Sequence, residues 1–234
     1  MLISSPDSGP VCDEQEIFGK LPLKGARVLE LGCGKAEKTR IVAQQAASVL
    51  ALEVDEIQLA KNREIADLPN VGFDHGGAQE IPAKDGSFDI AMMFKSLHHV
   101  PIESMDKAFR EIHRVLKSGG YAYISEPIYK GDFNEILRLF HDEKIVREAA
   151  FEAVKRAVSS GLFELVGQEF FMTPMHFENF GDFEKKIIGV THTDHRLSPE
   201  LLREVQAKFE KHMAADGADF LMPIRVDLLR KARP

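Results

Sequence analysis

The stretch that most constrains the fold runs from Arg27 to Thr39, Arg-Val-Leu-Glu-Leu-Gly-Cys-Gly-Lys-Ala-Glu-Lys-Thr. Val28, Leu29 and Leu31 make a short apolar run of the length a buried strand needs. Gly32-Cys33-Gly34 interrupts it, and a helical pattern follows with Ile41, Val42 and Ala46-Ala47 on one side. Strand, glycine turn and helix in this order bring unpaired N–H groups and the positive end of a helix dipole next to backbone with no side chain in the way. A ligand with anionic groups fits such a turn. Glycines at a strand end also make plain bends, so the turn alone leaves both readings open.

The rest of the chain extends the alternation. Ser48 to Val54 reads as a second strand, and Val71 to His75 as a weaker third. Phe88 to Phe94 is apolar almost throughout, as a strand buried on both faces should be. Met105, Phe109, Ile112, Val115 and Leu116 share one side of a helix that ends at Lys117-Ser118-Gly119-Gly120, and Tyr121 to Ser125 is a fifth strand. Strands alternating with helices predict an α/β fold, Rossmann-like and doubly wound, with right-handed crossovers. Ligands of such sheets sit beyond the carboxyl ends of the strands. Glu30, Glu53, Gly77, Lys95 and Glu126 all fall at or just past those ends.

After residue 130 the pattern changes. Asp132 to Ser160 reads as one long helix or two, Leu162 to Met172 as a strand, and Phe180 to Ile188 and Pro199 to Ala215 as helices. Phe220 to Leu229 reads as a last strand, which Pro223 places at a sheet edge or bulge. The expected organisation is a tail or lid over residues 1–22 and one domain over 23–234, with the helical insertions of 132–215 forming the acceptor side.

At this point four segments together resemble the class I S-adenosylmethionine-dependent methyltransferases, in the small-molecule branch (type 11/25-like). They are Val28-Leu29-Glu30-Leu31-Gly32-Cys33-Gly34, then Ala51-Leu52-Glu53-Val54-Asp55, then Gly77 to Pro82 with Asp85 to Asp89, and last Leu97-His98-His99 with Arg110 to Gly120. The resemblance covers Lys24 to Pro127 and implies a seven-stranded, mostly parallel sheet with a helical cover on the acceptor side. It implies S-adenosyl-L-methionine as cofactor, S-adenosyl-L-homocysteine as product, and methyl transfer to the O, N, S or C of a small molecule.

The resemblance assigns roles residue by residue. Glu30 would attract the cofactor's ammonium, and Gly32, Cys33 and Gly34 would pass close to its methionyl part. Glu53 lies 21 positions after Gly32, against ~20 for the ribose-binding acid of related sheets. Glu53 is preferred to Asp55, since one residue of register turns a side chain to the other face. Val54, Gly77 and Ala78 would border the adenine, and Lys95 would line the site at the end of the fourth strand. His99 and Glu126 are the candidate general bases, with Tyr129 or Arg225 orienting the acceptor, although Leu97-His98-His99 could equally be a packed loop. Two positions depart from the family: Ala36 stands where a third glycine is usual, and Gly77 where an acid usually meets the adenine amine. Lys35 adds an unusual cation to the turn.

Other readings are weaker. A nicotinamide-dependent oxidoreductase would want glycine or alanine at Glu37. A cofactor-binding protein without turnover would fit the departures at Ala36 and Gly77. A net charge of −7 argues against a duplex nucleic-acid partner. His192, Asp194 and His195 have zinc-ligand chemistry but no further ligand set, and no metal is expected. Phe170-Phe171-Met172 and Met175-His176-Phe177 read either as acceptor pocket or as core. Cys12 and Cys33 make no disulfide framework, residues 1–20 hold no signal-peptide h-region, and no apolar run is long enough to span a membrane, so a cytoplasmic protein is expected.

Overall fold

The computed structural model describes residues 1–5, 9–190 and 195–232. The glycine-turn segment folds as β1 (Arg27–Leu31), a loop, and α2 (Glu37–Ala43), preceded by a single-turn α1 (Gln15–Phe18). Then come β2 (Ser48–Glu53), α3 (Glu56–Arg63), β3 (Val71–His75), β4 (Phe88–Phe94), α4 (Met105–Val115) and β5 (Leu116–Pro127). The second half supplies α5 (Asp132–Leu137), α6 (Lys144–Ser159), β6 (Glu164–Phe177), α7 (Phe180–Phe183), α8 (Pro199–Phe209), the two-residue β7 (Met213–Ala214) and β8 (Gly217–Arg230).

The strands form one sheet in the order β3-β2-β1-β4-β5-β8-β6, with β7 paired to β8 off this path. β1 to β5 are parallel, and β8 runs antiparallel to both β5 and β6. The expected seven-stranded, mostly parallel sheet is present, with β7 as a short eighth strand. The strand order reverses between β1 and β4, which places a crevice at the carboxyl ends of those strands.

One expectation is corrected. β8 is not an edge strand but lies between β5 and β6. Pro223 is tolerated because pairing with β5 begins only at Ile224, opposite Pro127. Its carbonyl accepts the Ile128 N–H at 2.8 Å, so the proline sits where β8 emerges beyond the end of its neighbour.

Burial follows the periodicity. On one face of the sheet, α4 and α6 cover Leu29, Leu31, Ala91, Met93 and Ile124; on the other, α1 and α2 cover Val28, Ala51, Ile90, Met92 and Tyr123. The residue-22 boundary expected for a tail falls inside this packing, since Ile17, Phe18 and Leu23 are core residues. Val11 bridges Met172 of β6 in parallel, so the chain's beginning wraps the outer edge of the sheet. A third cluster of Phe133, Phe177, Phe183, Phe209 and Phe220 joins α5, α7 and α8 to the projecting ends of β6 and β8. Phe171 and Phe177 are thus core residues, while His176 is exposed and pairs with Asp219.

Candidate active site

The loop after β1 is shaped by backbone conformation. Gly32 and Gly34 have φ of +75° and +50°. A Cβ on Gly32 would lie 2.8 Å from Ser96 Cβ, so the glycine lets the loop pass the end of β4. A Cβ on Gly34 would meet nothing within 4 Å, leaving open space above the loop. Ala36, φ +61°, is also left-handed, which costs an alanine roughly 1–2 kcal/mol. The substitution of a usual glycine here is therefore larger than its side chain suggests. Lys35 is exposed.

Glu53 closes the loop from β2. Its Oε2 accepts the Gly34 N–H at 2.8 Å, and its Oε1 accepts those of Val54 and Asp55 at 2.8 and 3.0 Å. A carboxylate offers about four acceptor positions, so these three bonds leave room for a ligand hydroxyl. Asp55 is engaged as the N-cap of α3, accepting from Ile57 and Gln58 N–H. Buried Asn62 of α3 donates to the Gly34 carbonyl at 2.7 Å and to Cys33 Sγ at 3.4 Å. Burial pushes the Cys33 thiol far up, so it packs rather than reacts.

The α1 face carries a second set of acids. Glu30, 2% exposed, is pushed up to about 8 by burial; Glu14 and Glu53 add to this and Thr39 opposes it. Glu14 reaches in from just before α1, 1% exposed, and its Oε1 accepts the Tyr123 hydroxyl at 3.3 Å. Lys95, left-handed at φ +55°, donates its N–H to the Ser125 carbonyl at 2.7 Å and places Nζ 3.7 Å from Glu14 Oε2. Among the described residues, Glu14 Oε2, Glu30 Oε2 and Ser125 Oγ are buried without a hydrogen-bond partner. Orphaned buried acceptors are costly, and a cationic ligand here would satisfy them.

The loop after β3 is held next to Glu53. Gly76 N–H donates to the Glu53 carbonyl at 3.3 Å, and Ala78 is packed into the core. The side-chain amide of Gln79 occupies the room beside Gly77, 2.7 Å from where a Cβ would stand. Val54 is 59% exposed, an apolar side chain bordering this hollow. Arg114 of α4 pins the loop from below through Glu111, Asp85 and the carbonyls of Ile81 and Ala83. Glu111 in turn accepts the Ile81 N–H at 3.0 Å and is held down to about 2, chiefly by Arg114.

On the opposite face, Glu126 does not stand free at the end of β5. It accepts the Leu97 N–H at 2.9 Å and pairs with His98 Nδ1 at 2.7 Å, with both side chains buried. Beyond His98 lies Glu143, which also pairs with His141 and Arg147. Burial by itself pulls His98 down, but the two flanking carboxylates override it and raise it to about 9. Burial would likewise raise Glu126, and His98 overrides it and keeps the carboxylate ionised. His99 is exposed, its ring 4.1 Å from that of His98. Arg225 is buried against Asp227 and over the Phe151 ring, away from solvent. Tyr129 is paired with Asp142 near the surface. His192 and Asp194 lie outside the described residues; the His195 ring stands 4.7 Å from that of His141.

Comparison with known proteins agrees with this geometry. A model described as a methyltransferase domain matches residues 29–124, under half of the chain. Over that segment the chain is similar to methyltransferases. It is 38% identical over 103 residues to a demethylmenaquinone methyltransferase of Listeria welshimeri, covering 42% of this chain and 43% of that one. It is 33% identical over 110 residues to the 27-O-demethylrifamycin SV methyltransferase of Amycolatopsis mediterranei, covering 44% and 40%. An uncharacterised methyltransferase of Synechocystis is 30% identical over 112 residues, covering 45% and 52%. The matched segment thus spans about half, or less, of these relatives. In fold, the YcgJ protein of Bacillus subtilis superposes with a TM-score of 0.66 at 15% identity over 94% of this chain and 97% of that one. The (4+2)-cyclase SpnF superposes at 0.61 and 20% identity over 99% and 89%.

Several residues of the site and its covers were not singled out from sequence. Glu14 sits in a single-turn segment before the first strand, with no motif to mark it. Asn62 is a polar residue on the apolar side of α3, which was the available signal. Glu143 and Arg147 form an i, i+4 pair at the start of α6, a pattern ordinary on exposed helices but buried here.

Proposed function

We propose that the protein transfers a methyl group from S-adenosylmethionine to a small-molecule acceptor. The observation that carries this reading is the pair of buried acids Glu14 and Glu30, whose Oε2 atoms accept no hydrogen bond, with Lys95 Nζ 3.7 Å from Glu14 Oε2, beside a left-handed glycine loop with open space over Gly34. Their chemistry fits a ligand with an ammonium at one end. Glu53, with an acceptor position to spare, fits its ribose hydroxyls at the other.

When bound, the cofactor supplies an electrophilic methyl on a sulfonium. The chain's residues bind, orient and exclude water. Glu30 and Glu14 would hold the ammonium, Glu53 the ribose, and Val54 would cover a face of the adenine. Gln79, whose amide fills the room beside Gly77, would read the adenine edge in place of the missing acid. Transfer to a neutral acceptor needs alignment and dryness above all. His99 would accept a proton from an acceptor hydroxyl or amine, and Glu126 would act on that side through His98, with which it pairs at 2.7 Å. The relatives act on a quinone precursor and a rifamycin, both small organic molecules bearing oxygen, and an acceptor of that class suits the histidine-lined side.

Calorimetric titration with S-adenosylmethionine, S-adenosylhomocysteine and NADH tests the reading. Micromolar binding of the first two and none of the third is expected, weakened at least tenfold in Glu53→Ala, loss of a charge-assisted hydrogen bond being worth about 1.5–3 kcal/mol. NADH binding in preference to S-adenosylmethionine refutes it. A second reading, cofactor binding without methyl transfer, draws on the departures at Ala36, strained at φ +61°, and Gly77. Turnover of an acceptor panel, read by S-adenosylhomocysteine release, separates the two.

A further inference from the structure

The histidines beside Glu126 form a constellation that the cofactor does not use. His98 Nε2 and Glu143 Oε1 stand 3.4 Å apart with both side chains buried. That is long for a hydrogen bond, whose N···O distances run about 2.7–3.2 Å. It matches the ligand-to-ligand edge of a tetrahedral zinc site, roughly 3.3 Å for bonds of about 2.0–2.1 Å. His99 brings a ring nitrogen into the same group, so that one ligand atom from each of His98, His99 and Glu143 lies within 4.8 Å of the others. Two histidines come from the short turn after β4 and the carboxylate from the start of α6, so the site joins the carboxyl-end edge of the sheet to the helical cover.

The surroundings are those of a ligand set. The other nitrogen of His98 is tied to Glu126 at 2.7 Å, the carboxylate–histidine arrangement that fixes the ring and tautomer of metal-bound histidines. The second oxygen of Glu143 is held by Arg147, which fixes the carboxylate's orientation. His141 Nε2 lies 3.0 Å from Glu143 Oε1, close enough to support the same oxygen. His98 and Glu143 are buried while His99 is exposed, so an ion held among them would have protein on one side and an open position on the other. Three protein ligands with one open position is the form of catalytic rather than structural zinc sites.

We propose that His98, His99 and Glu143 bind a divalent transition-metal ion of the zinc class, with Glu126 as a positioning residue behind His98. The site differs from the late His-Asp-His loop in the sequence and uses none of its residues. With an acceptor oxygen held at the open position, the ion, in place of His99 as base, would favour loss of that oxygen's proton. That catalytic role rests on the methyl-transfer reading; the binding of the ion does not.

The test uses the full-length, tag-free protein stripped with chelator. Cobalt(II) is titrated while its visible ligand-field bands are recorded, and zinc(II) is then added to displace it. Saturation at one ion per chain with the intense bands of tetrahedral cobalt, abolished by zinc, is expected. His99→Ala, at an exposed position and checked for folding by circular dichroism, and Glu143→Gln should each lose the bands, and Glu126→Gln should weaken binding about 10–100-fold. His176→Gln, on the exposed far arm, should leave binding unchanged. Absence of saturable binding, or binding equal in wild type and His99→Ala, overturns the proposal. S-adenosylmethionine affinity, measured on the same stripped protein, decides the cofactor reading separately, so each can fail alone.

Discussion

Replacing Glu30 by glutamine should stabilise the protein without cofactor and remove a proton from the binding equilibrium. In the folded chain the Glu30 carboxyl is raised to about 8 from an ordinary 4.5, because it is buried beside Glu14 and Glu53. Between those values the folded state binds one proton more than the unfolded state. Stability therefore falls as pH rises, by about 1.4 kcal/mol per pH unit. From pH 4.5 to 7 this amounts to about 3 kcal/mol, a sizeable part of a typical domain's stability. An ammonium beside Glu30 reverses the preference, so cofactor binding near pH 7 should expel up to one proton, and affinity should rise with pH up to about 8. Denaturant melts of wild type and Glu30→Gln at pH 5 to 8, with calorimetry in buffers of differing ionisation enthalpy, measure both. The difference between the two proteins isolates Glu30 from every other titrating group. The reasoning is refuted if the stability difference between them does not grow with pH, or if Glu30→Gln still releases the wild-type number of protons.

Three further outcomes are expected. Gly34→Ala places a methyl in the open space over the loop at a φ of +50°; circular dichroism should show a fold weakened by only about 1–2 kcal/mol, while calorimetry shows cofactor binding lost. Arg114→Ala removes the group that chiefly holds Glu111 down to about 2. A depressed carboxylate stabilises the fold above its ordinary value and loses that contribution as pH falls, so the variant's acid melting curve should be flatter than wild type between pH 4.5 and 2. Phe209→Ala, fully buried in the third cluster, should cost that cluster about 3–5 kcal/mol of its own stability, read as faster amide exchange in α8 with the exchange of β1 to β4 little changed.

What could be read from the sequence was what is local. The strand–glycine–helix unit, the apolar run of Phe88 to Phe94 and the amphipathic Met105 to Val115 each carry their structure in their own periodicity. Pro223 misled because its conformation says that one side of the strand lacks a partner there, not which side or for how long. β8 meets β5 only one residue later. The backbone strain at Ala36 was invisible because an alanine differs little from glycine until φ is known. Glu126 was picked out by its place at a strand end, but the second carboxylate on its partner His98, Glu143, is 17 residues further on, behind a helix start that nothing in the composition ties to the sheet. Buried polar networks are assembled by topology, and single-chain patterns do not encode which of their members meet.

The phenylalanine cluster at the projecting ends of β6 and β8 shares Met222 with one of the two sheet-face cores and otherwise packs those strand ends against α5, α7 and α8. In hydrogen exchange such an arrangement shows as a separate cooperative unit, opening at lower free energy than the parallel strands. Mutations there are absorbed by a part of the molecule that the cofactor loop does not lean on.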